Sequence, residues 1–322
     1  MKRKKLKIVL ICSAVLLVIL FLGMSYFIGV QVFDNSTQLV TNESTSGVEA
    51  SFWEKYQMDY DEFTGRYRIE EIKIESSFDG HIIPGDYIYC EDADGKDWNT
   101  VILVHGLGGN RYSNYPLAEY FLGKGYNVIT YDQRSSGENT AQYTTFGYWE
   151  KYDAGDMVRY AAENAPEKQI GFWGTSFGGA TVGLALADEK MDDLVDFAVL
   201  DCPVSSMEYM VETELENMEI GIPVKYMVFC GNIMNKQKLG FSYAEADVPD
   251  AAANTKVPLL IINSKADTLT PYFMGKDIYD AVKQEKKQIW TVEDSRHADV
   301  WLDYNEEYCA RVDKFLEAYA PK

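Results

Sequence analysis

The chain has 322 residues, 47% hydrophobic and 25% charged, with 30 basic and 50 acidic side chains for a formal net charge of −20. That length can bury one full core plus an appendage, and the composition is that of an ordinary globular protein. The acidic balance excludes nucleic acid as a partner, since phosphate binding needs a basic face, and disfavours docking of the folded part on anionic lipid; solubility is the simple reading of it.

Lys2, Arg3, Lys4, Lys5 and Lys7 supply every charge before Asp34, so the rest of the chain holds 25 basic against 50 acidic side chains. Residues 8–30, IVLICSAVLLVILFLGMSYFIGV, carry no charge at all. About 20 apolar residues cross a bilayer, and no small-residue cleavage site of the A-x-A kind follows. Residues 1–30 are therefore expected to be a basic cytoplasmic tip and an uncleaved single-pass anchor in the cell membrane. The positive-inside rule leaves the N-terminus in the cytoplasm and the C-terminal domain outside. Residues 31–65 are expected to be a tether and lead-in, because 31–50 are rich in Ser, Thr, Asn and Gly. Two N-x-[ST] sequons, at Asn35 and Asn42, matter only in a source that glycosylates. Of the five cysteines, Cys12 lies in the anchor, while Cys90, Cys202, Cys230 and Cys309 are scattered without metal-ligand spacing. Each of these four sits in an apolar stretch, where a free thiol packs as a small hydrophobe; two disulfides in any of three pairings are the alternative.

From residue 66 strand and helix signals alternate. RIEEIKIE (68–75) alternates polar and apolar side chains, which suits a half-buried antiparallel strand, and 81–90 reads as its partner across the turn at Phe78, Asp79 and Gly80. Six continuous apolar runs follow, at 100–106, 126–132, 169–174, 197–202, 258–264 and 288–293. Strands of that kind belong in a parallel sheet covered on both faces, so an open, mostly parallel α/β sheet is predicted. A last amphipathic helix carries Val300, Tyr304, Tyr308, Val312, Phe315 and Tyr319 at helical spacing. Residues 66–203 and 255–322 form the expected core. The intervening 204–254 is too long for one crossover and reads as a small helical cap, with Met207, Met210, Val211, Leu215 and Met218 on one face. Those methionines either pack on the body or offer an adaptable lining to a greasy substrate.

The chemistry-bearing motif is Gly174-Thr175-Ser176-Phe177-Gly178, between the strand QIGFW and the helical run ATVGLALADE. A sharp strand-to-helix turn lifts a serine hydroxyl clear of the sheet, and glycines permit the close approach this needs. His105-Gly106-Leu107-Gly108-Gly109 follows the strand TVILV. Its glycines let backbone N–H groups face a site, and the natural oxyanion donors are the N–H groups of Leu107 and of Phe177. His105 precedes that turn and reads as a brace. The chain has three histidines, and His297 comes after the serine, as the order Ser…Asp…His requires. His81 lies beside a hairpin turn and suits a surface role. Asp267 follows the strand PLLIINS and has the best position for the acid that orients the imidazole; Asp201, Asp294 and Asp299 are its rivals.

With these residues in place the chain resembles the α/β-hydrolase superfamily over roughly residues 66–320. Within it the chain looks like bacterial membrane-anchored hydrolases of the serine-aminopeptidase and monoacylglycerol-lipase-like group. His105-Gly106 and the glycines after it resemble that group's oxyanion turn. Tyr131-Asp132-Gln133-Arg134-Ser135-Ser136-Gly137 resembles its D-x-R-G-x-G loop, with Ser135 in place of the first glycine. The stretch from Gly174 to Gly178 resembles its nucleophile elbow, the stretch from Asp267 to Pro271 its acid loop, and His297 its base. The resemblance implies an eight-stranded core with a cap after the sixth strand. The expected activity is hydrolysis of a carboxylic ester of a small or medium hydrophobic substrate, through an acyl-enzyme on Ser176 with His297 as base and Asp267 as acid. A cell-surface serine peptidase that grips an amino terminus through a carboxylate such as Glu208, Glu212 or Glu214 is the alternative, and a non-catalytic binding module on a hydrolase scaffold is the other. No metal or organic cofactor is implied; the expected partners are a small-molecule ester or short peptide, and the membrane through residues 8–30.

Overall fold

The computed structural model describes residues 2–320; Met1 and the last two residues of the expected core, 321 and 322, lie outside them, as do the side chains of Lys2 and Arg3. The chain opens with a long helix, α1 (Lys2–Thr37), and two short ones, α2 (Glu49–Lys55) and α3 (Tyr60–Arg66). Eight strands follow: β1 (Arg68–Glu75), β2 (Ile82–Tyr89), β3 (Thr100–Val104), β4 (Asn127–Tyr131), β5 (Ile170–Thr175), β6 (Phe197–Asp201), β7 (Leu259–Ser264) and β8 (Lys287–Val292). Between them run α4 (Tyr115–Gly123), α5 (Glu150–Asn164), α6 (Phe177–Ala185) and α7 (Met191–Leu194), then α8 (Met207–Asn217), α9 (Val224–Leu239) and α10 (Val248–Ala252) after β6. The chain closes with α11 (Tyr272–Ala281), α12 (Val300–Asp303) and α13 (Asn305–Tyr319).

All eight strands form one sheet in the order β1-β2-β4-β3-β5-β6-β7-β8. β2 pairs antiparallel with β1 and β4, and every other pair is parallel. The eight strands expected from the hydrophobic pattern are all present. β3, β4, β6 and β7 are buried along their whole length, as strands covered on both faces must be. β1, at the edge, buries only Ile72, which explains its alternating sequence. The core under the site is aromatic. Trp173 of β5 has no exposed surface and meets Phe121 of α4 edge-on, with ring centroids 5.5 Å apart, and Tyr308 of α13 at 6.0 Å. Side chains of this size hold the strand that carries Ser176 in place, each burial stabilising by about 1.5–3 kcal/mol.

Two compact units result: the chain up to Thr37 with Glu208–Glu245, and Gln38–Met207 with the chain from Ala246 onward. In the smaller unit α1 and α9 lie side by side, and Ser36 Oγ meets the Tyr243 hydroxyl at 3.2 Å. Among the described residues α1 is the one helix long and apolar enough to cross a membrane, judged by length and composition.

The structure differs from the sequence reading in three places. Residues 31–37 continue α1, because their polar side chains are satisfied inside the helix: Asn35 Nδ2 donates to Gln31 O at 2.7 Å and Thr37 Oγ1 to Phe33 O at 2.8 Å. The Ser/Thr/Asn-rich stretch after it is a packed turn, not a tether. Thr41 and Ser44 bond reciprocally, and Asn42 Nδ2 donates to the carbonyls of Gly137 and Asn139, both at 2.8 Å. The single helix expected from Val300 breaks at Tyr304, whose backbone leaves the helical region at φ −130° while its hydroxyl bonds Asp294. All five cysteines are free.

Candidate active site

Ser176 sits between β5 and α6 with φ 57° and ψ −116°, a region costly to a residue with a Cβ. Its surroundings enforce that conformation. The Ser176 N–H donates to Asp201 O at 2.8 Å, tying the turn to the end of β6. A Cβ on Gly174 would stand 2.1 Å from Gly178 O, and one on Gly178 2.2 Å from Val104 O. Both glycines of the motif are therefore required by close backbone packing. The hydroxyl projects at the N-terminus of α6, where partial positive charge gathers.

The loop after β8 brings His297 to this hydroxyl. His297 Nε2 is 2.8 Å from Ser176 Oγ, and Nδ1 is 2.7 Å from Asp267 Oδ2. Asp267 stands just beyond β7. Its Oδ1 accepts from the N–H groups of Leu269 and Thr270, each at 2.9 Å, and its Oδ2 also accepts from the Thr270 hydroxyl at 2.8 Å. Burial alone would raise this carboxyl; the bonds from His297 and Thr270 outweigh it and hold Asp267 below its ordinary range. An ionised Asp267 accepts a hydrogen bond from the His297 Nδ1–H, which leaves the Nε2 lone pair facing the serine.

The rival acids are occupied elsewhere. Asp201 Oδ2 accepts from the buried Tyr308 hydroxyl at 2.6 Å, and burial pushes its carboxyl up to about 6. Asp299 pairs with Lys55 at 2.6 Å and with Arg296 at 3.2 Å. Asp294 accepts from Tyr304. His81 lies away from the serine, its Nδ1 2.5 Å from Asp79 Oδ1.

The glycine turn after β3 lies against the serine: a Cβ on Gly106 would be 3.5 Å from Ser176 Cβ and 4.0 Å from Oγ. Among the described residues the Leu107 N–H has no backbone acceptor, and the N–H of Phe177, the first residue of α6, is an orphan by helix geometry. His105 is buried. Its Nε2 accepts from the Gln133 N–H at 3.0 Å, so its Nδ1 carries the proton that goes to Gly106 O at 2.8 Å. Burial lowers its pKa, which keeps the ring neutral in that bracing role. Ser135 holds the left-handed conformation at φ 60° that a glycine would take without strain, and its Oγ donates to Ala141 O at 2.8 Å.

A cavity of about 260 Å³ opens over Ser176 and His297. Phe52, Tyr56, Leu107, Leu117 and Trp301 form apolar walls, and Asp201 and Tyr308 line it as well. Of the two roles left open for the methionines at 207, 210 and 218, lining the site is not seen in this cavity. The residues the sequence reading missed come from α2. Phe52, Lys55 and Tyr56 wall the cavity, and Trp53 Nε1 donates to Tyr112 O at 3.1 Å. Nearby, Asn110 Nδ2 donates to Thr45 O at 3.0 Å and Glu49 Oε2 at 2.8 Å, so the stretch before β1 also holds the end of the glycine turn. The aromatic cluster Phe52, Trp53 and Tyr56 was the available signal. Cys202, Asp267 and His297 offer donor atoms within 4.8 Å of one another, but the Asp267 and His297 atoms bond each other.

A family model described as the alpha/beta hydrolase fold matches residues 99–226. A solved esterase of Pyrococcus furiosus, Pf2001, superimposes with a TM-score of 0.63 at 24% identity, covering 81% of this chain and 94% of that one. The chain has the α/β-hydrolase fold. Among curated relatives, the uncharacterized protein YqkD of Bacillus subtilis is 26% identical over 239 residues, 74% of this chain and 76% of that protein. The lysophosphatidylserine lipase ABHD12 of Rattus norvegicus is 21% identical over 203 residues, 61% of this chain and 48% of that protein. The fold and these neighbours support a hydrolase.

Proposed function

We propose that the chain is a serine esterase that cleaves a carboxylic ester of a small or medium hydrophobic substrate. The observation that carries the proposal is the continuous bond path from Ser176 Oγ through His297 to Asp267, at 2.8 and 2.7 Å. In this reading His297 Nε2 takes the hydroxyl proton as Oγ attacks the carbonyl carbon, and Asp267 stabilises the imidazolium. The N–H groups of Leu107 and Phe177 receive the developing oxyanion. His297 then returns the proton to the leaving alcohol, and a water activated by the same ring frees the acid. A cavity of about 260 Å³ with aromatic walls suits a short acyl chain or compact hydrophobic alcohol. The esterase and lipase names among the relatives favour ester over amide. Within the superfamily the proposal sets the chain beside the serine-aminopeptidase and monoacylglycerol-lipase-like group. In the same reading α1 anchors the chain in the cell membrane, with the N-terminus cytoplasmic and the hydrolase unit outside.

The test is labelling by a fluorophosphonate probe together with turnover of p-nitrophenyl butyrate. Both should be present in the native chain and lost in Ser176→Ala with the fold intact. Turnover that survives the substitution removes Ser176 from the reaction. Faster cleavage of an aminoacyl p-nitroanilide than of the ester would favour the peptidase. Protease added to intact cells should digest the hydrolase unit; protection of that unit would reverse the orientation.

A further inference from the structure

The smaller unit bears a surface that ester hydrolysis does not use. α9 runs alongside the second half of α1 in the same direction. Tyr226 stacks on Phe21 with centroids 6.0 Å apart, and its hydroxyl meets Ser25 Oγ at 2.5 Å. Further along, Gly29 lies against Cys230 and Gly231 against Val32, so close that a Cβ on either glycine would stand within 2.7 or 2.3 Å of its neighbour. Lys238 lies 3.9 Å from Asp34 at the far end. Small residues at the contact let two helices approach as they do inside lipid.

The outer face of this pair is apolar and unpartnered. Phe229 and Ile233, four residues apart on α9, are 61% and 51% exposed. Met218 and Ile220, in the turn before α9, are 43% and 51% exposed. The charge of α9 is also out of keeping with the chain. It has Lys225, Lys236 and Lys238 and no acid, in a protein with 50 acidic and 30 basic side chains. Its depth follows from the pairing with α1. The apolar run begins at Ile8, and about 20 residues reach across a bilayer, to about Phe27. Tyr226, level with Phe21 and Ser25, is thus within about one helical turn of the outer edge of the acyl layer. Glu216 and Glu219, exposed beside the turn, keep it from going deeper.

We propose that α9 and the turn before it form a second membrane-contact surface in the outer leaflet. Met218, Ile220 and Phe229 enter the acyl region, Ile233 lies at its headgroup boundary, and Lys236 reaches anionic headgroups. The continuity of this face with a membrane-crossing α1 and the basic charge of α9 select lipid as the occupant. The inference rests on the proposed anchoring of α1.

The experiment places the photoreactive residue p-benzoylphenylalanine at Phe229, at Ile233 or at Met24 of the full chain, reconstituted in phosphatidylethanolamine–phosphatidylglycerol vesicles. Met24 lies in the middle of α1 and is 57% exposed. On illumination, positions 229 and 233 should each gain the mass of one phospholipid, as position 24 does. Lipid adducts at 24 alone, with none at 229 or 233, overturn the second surface. Chain-to-chain adducts at 229 or 233 overturn it in favour of a second copy of this chain. No lipid adduct at 24 removes the anchor, and the inference with it.

Discussion

Replacing Asp267 by Asn changes one oxygen for an amide and tests the proposed acid directly. Two backbone N–H groups, of Leu269 and Thr270, point at Oδ1 at 2.9 Å, so the Asn oxygen must stay there. The amide NH2 then takes the place of Oδ2, 2.7 Å from His297 Nδ1. An NH2 donates, so Nδ1 must give up its proton and Nε2 must hold one. The ring then presents N–H instead of a lone pair to Ser176 and cannot take the hydroxyl proton. A wrong tautomer of this kind costs about 10⁴-fold in rate in a comparable triad, or ~5 kcal/mol of barrier. The acylation burst of p-nitrophenol from p-nitrophenyl butyrate, followed by stopped flow, should fall by about that factor, and fluorophosphonate labelling should slow in parallel. Raising the pH should not restore it, because the defect is orientation and not charge. A loss of less than about tenfold, or a larger loss in Asp201→Asn, would refute the assignment of the acid.

Four other outcomes follow from the same contacts. Gly178→Ala sets a Cβ 2.2 Å from Val104 O, and the elbow must move off β3; stability should fall by about 2 kcal/mol or more in denaturant melts, with activity lost, and a native-like melt with full activity would show the packing to be loose. Asn110→Ala removes the bonds to Thr45 O and Glu49, so kcat should drop about tenfold with little change in KM; a purely thermal effect would confine Asn110 to stability. Phe52→Ala enlarges the acyl cavity, and the octanoate-to-butyrate ratio of kcat/KM should rise about tenfold; an unchanged ratio would deny α2 a part in specificity. Asp201, pushed up to about 6, favours its neutral form in the fold, so its contribution is present below its unfolded pKa of about 4 and is lost as pH rises through about 6. Stability of the native chain relative to Asp201→Asn should therefore fall by on the order of 3 kcal/mol between about pH 4 and pH 7, and a difference independent of pH would refute the shift.

What was legible in the sequence was whatever local chemistry dictates. Continuous apolar runs mark strands covered on both faces, and all eight strands emerged within a residue or two of their expected ends. The glycines around Ser176 were readable because no other residue fits the gaps at Gly174 and Gly178. The stretch before β1 was not readable. Ser, Thr and Asn serve a coil and a packed turn equally well, and what decides between them is a distant partner. Asn42 finds its acceptors at Gly137 and Asn139, and Thr45 Oγ1 accepts from the Gly137 N–H at 2.9 Å. Nothing within ten residues of Asn42 announces that. The same holds for α2, whose aromatic side chains had no visible partner until the turn after β3 was folded beside them.

The contrast between Asp201 and Asp267 shows why strand position alone could not choose the acid. Asp201 ends β6 and Asp267 follows the neighbouring parallel strand β7, at the same edge of the sheet, and both are buried. Asp267 receives two backbone N–H groups, a hydroxyl and an imidazole, and these donors hold it ionised despite burial. Asp201 receives the Tyr308 hydroxyl on one oxygen, while its buried Oδ1 has no hydrogen-bond partner among the described residues. A carboxylate in that setting lacks the donors needed to offset desolvation, so its proton is held more tightly. Of the two, Asp267 is the one held anionic well below neutral pH and the one bonded to His297. The titrations of two like residues are thus shifted in opposite directions by their donor sets, and a carboxyl kept anionic beside His297 is what the proposed proton transfer demands. Restoring a donor to Asp201 should lower its titration, yet catalysis should still depend on Asp267, because Asp267 Oδ2 is the carboxylate oxygen bonded to His297 Nδ1, at 2.7 Å.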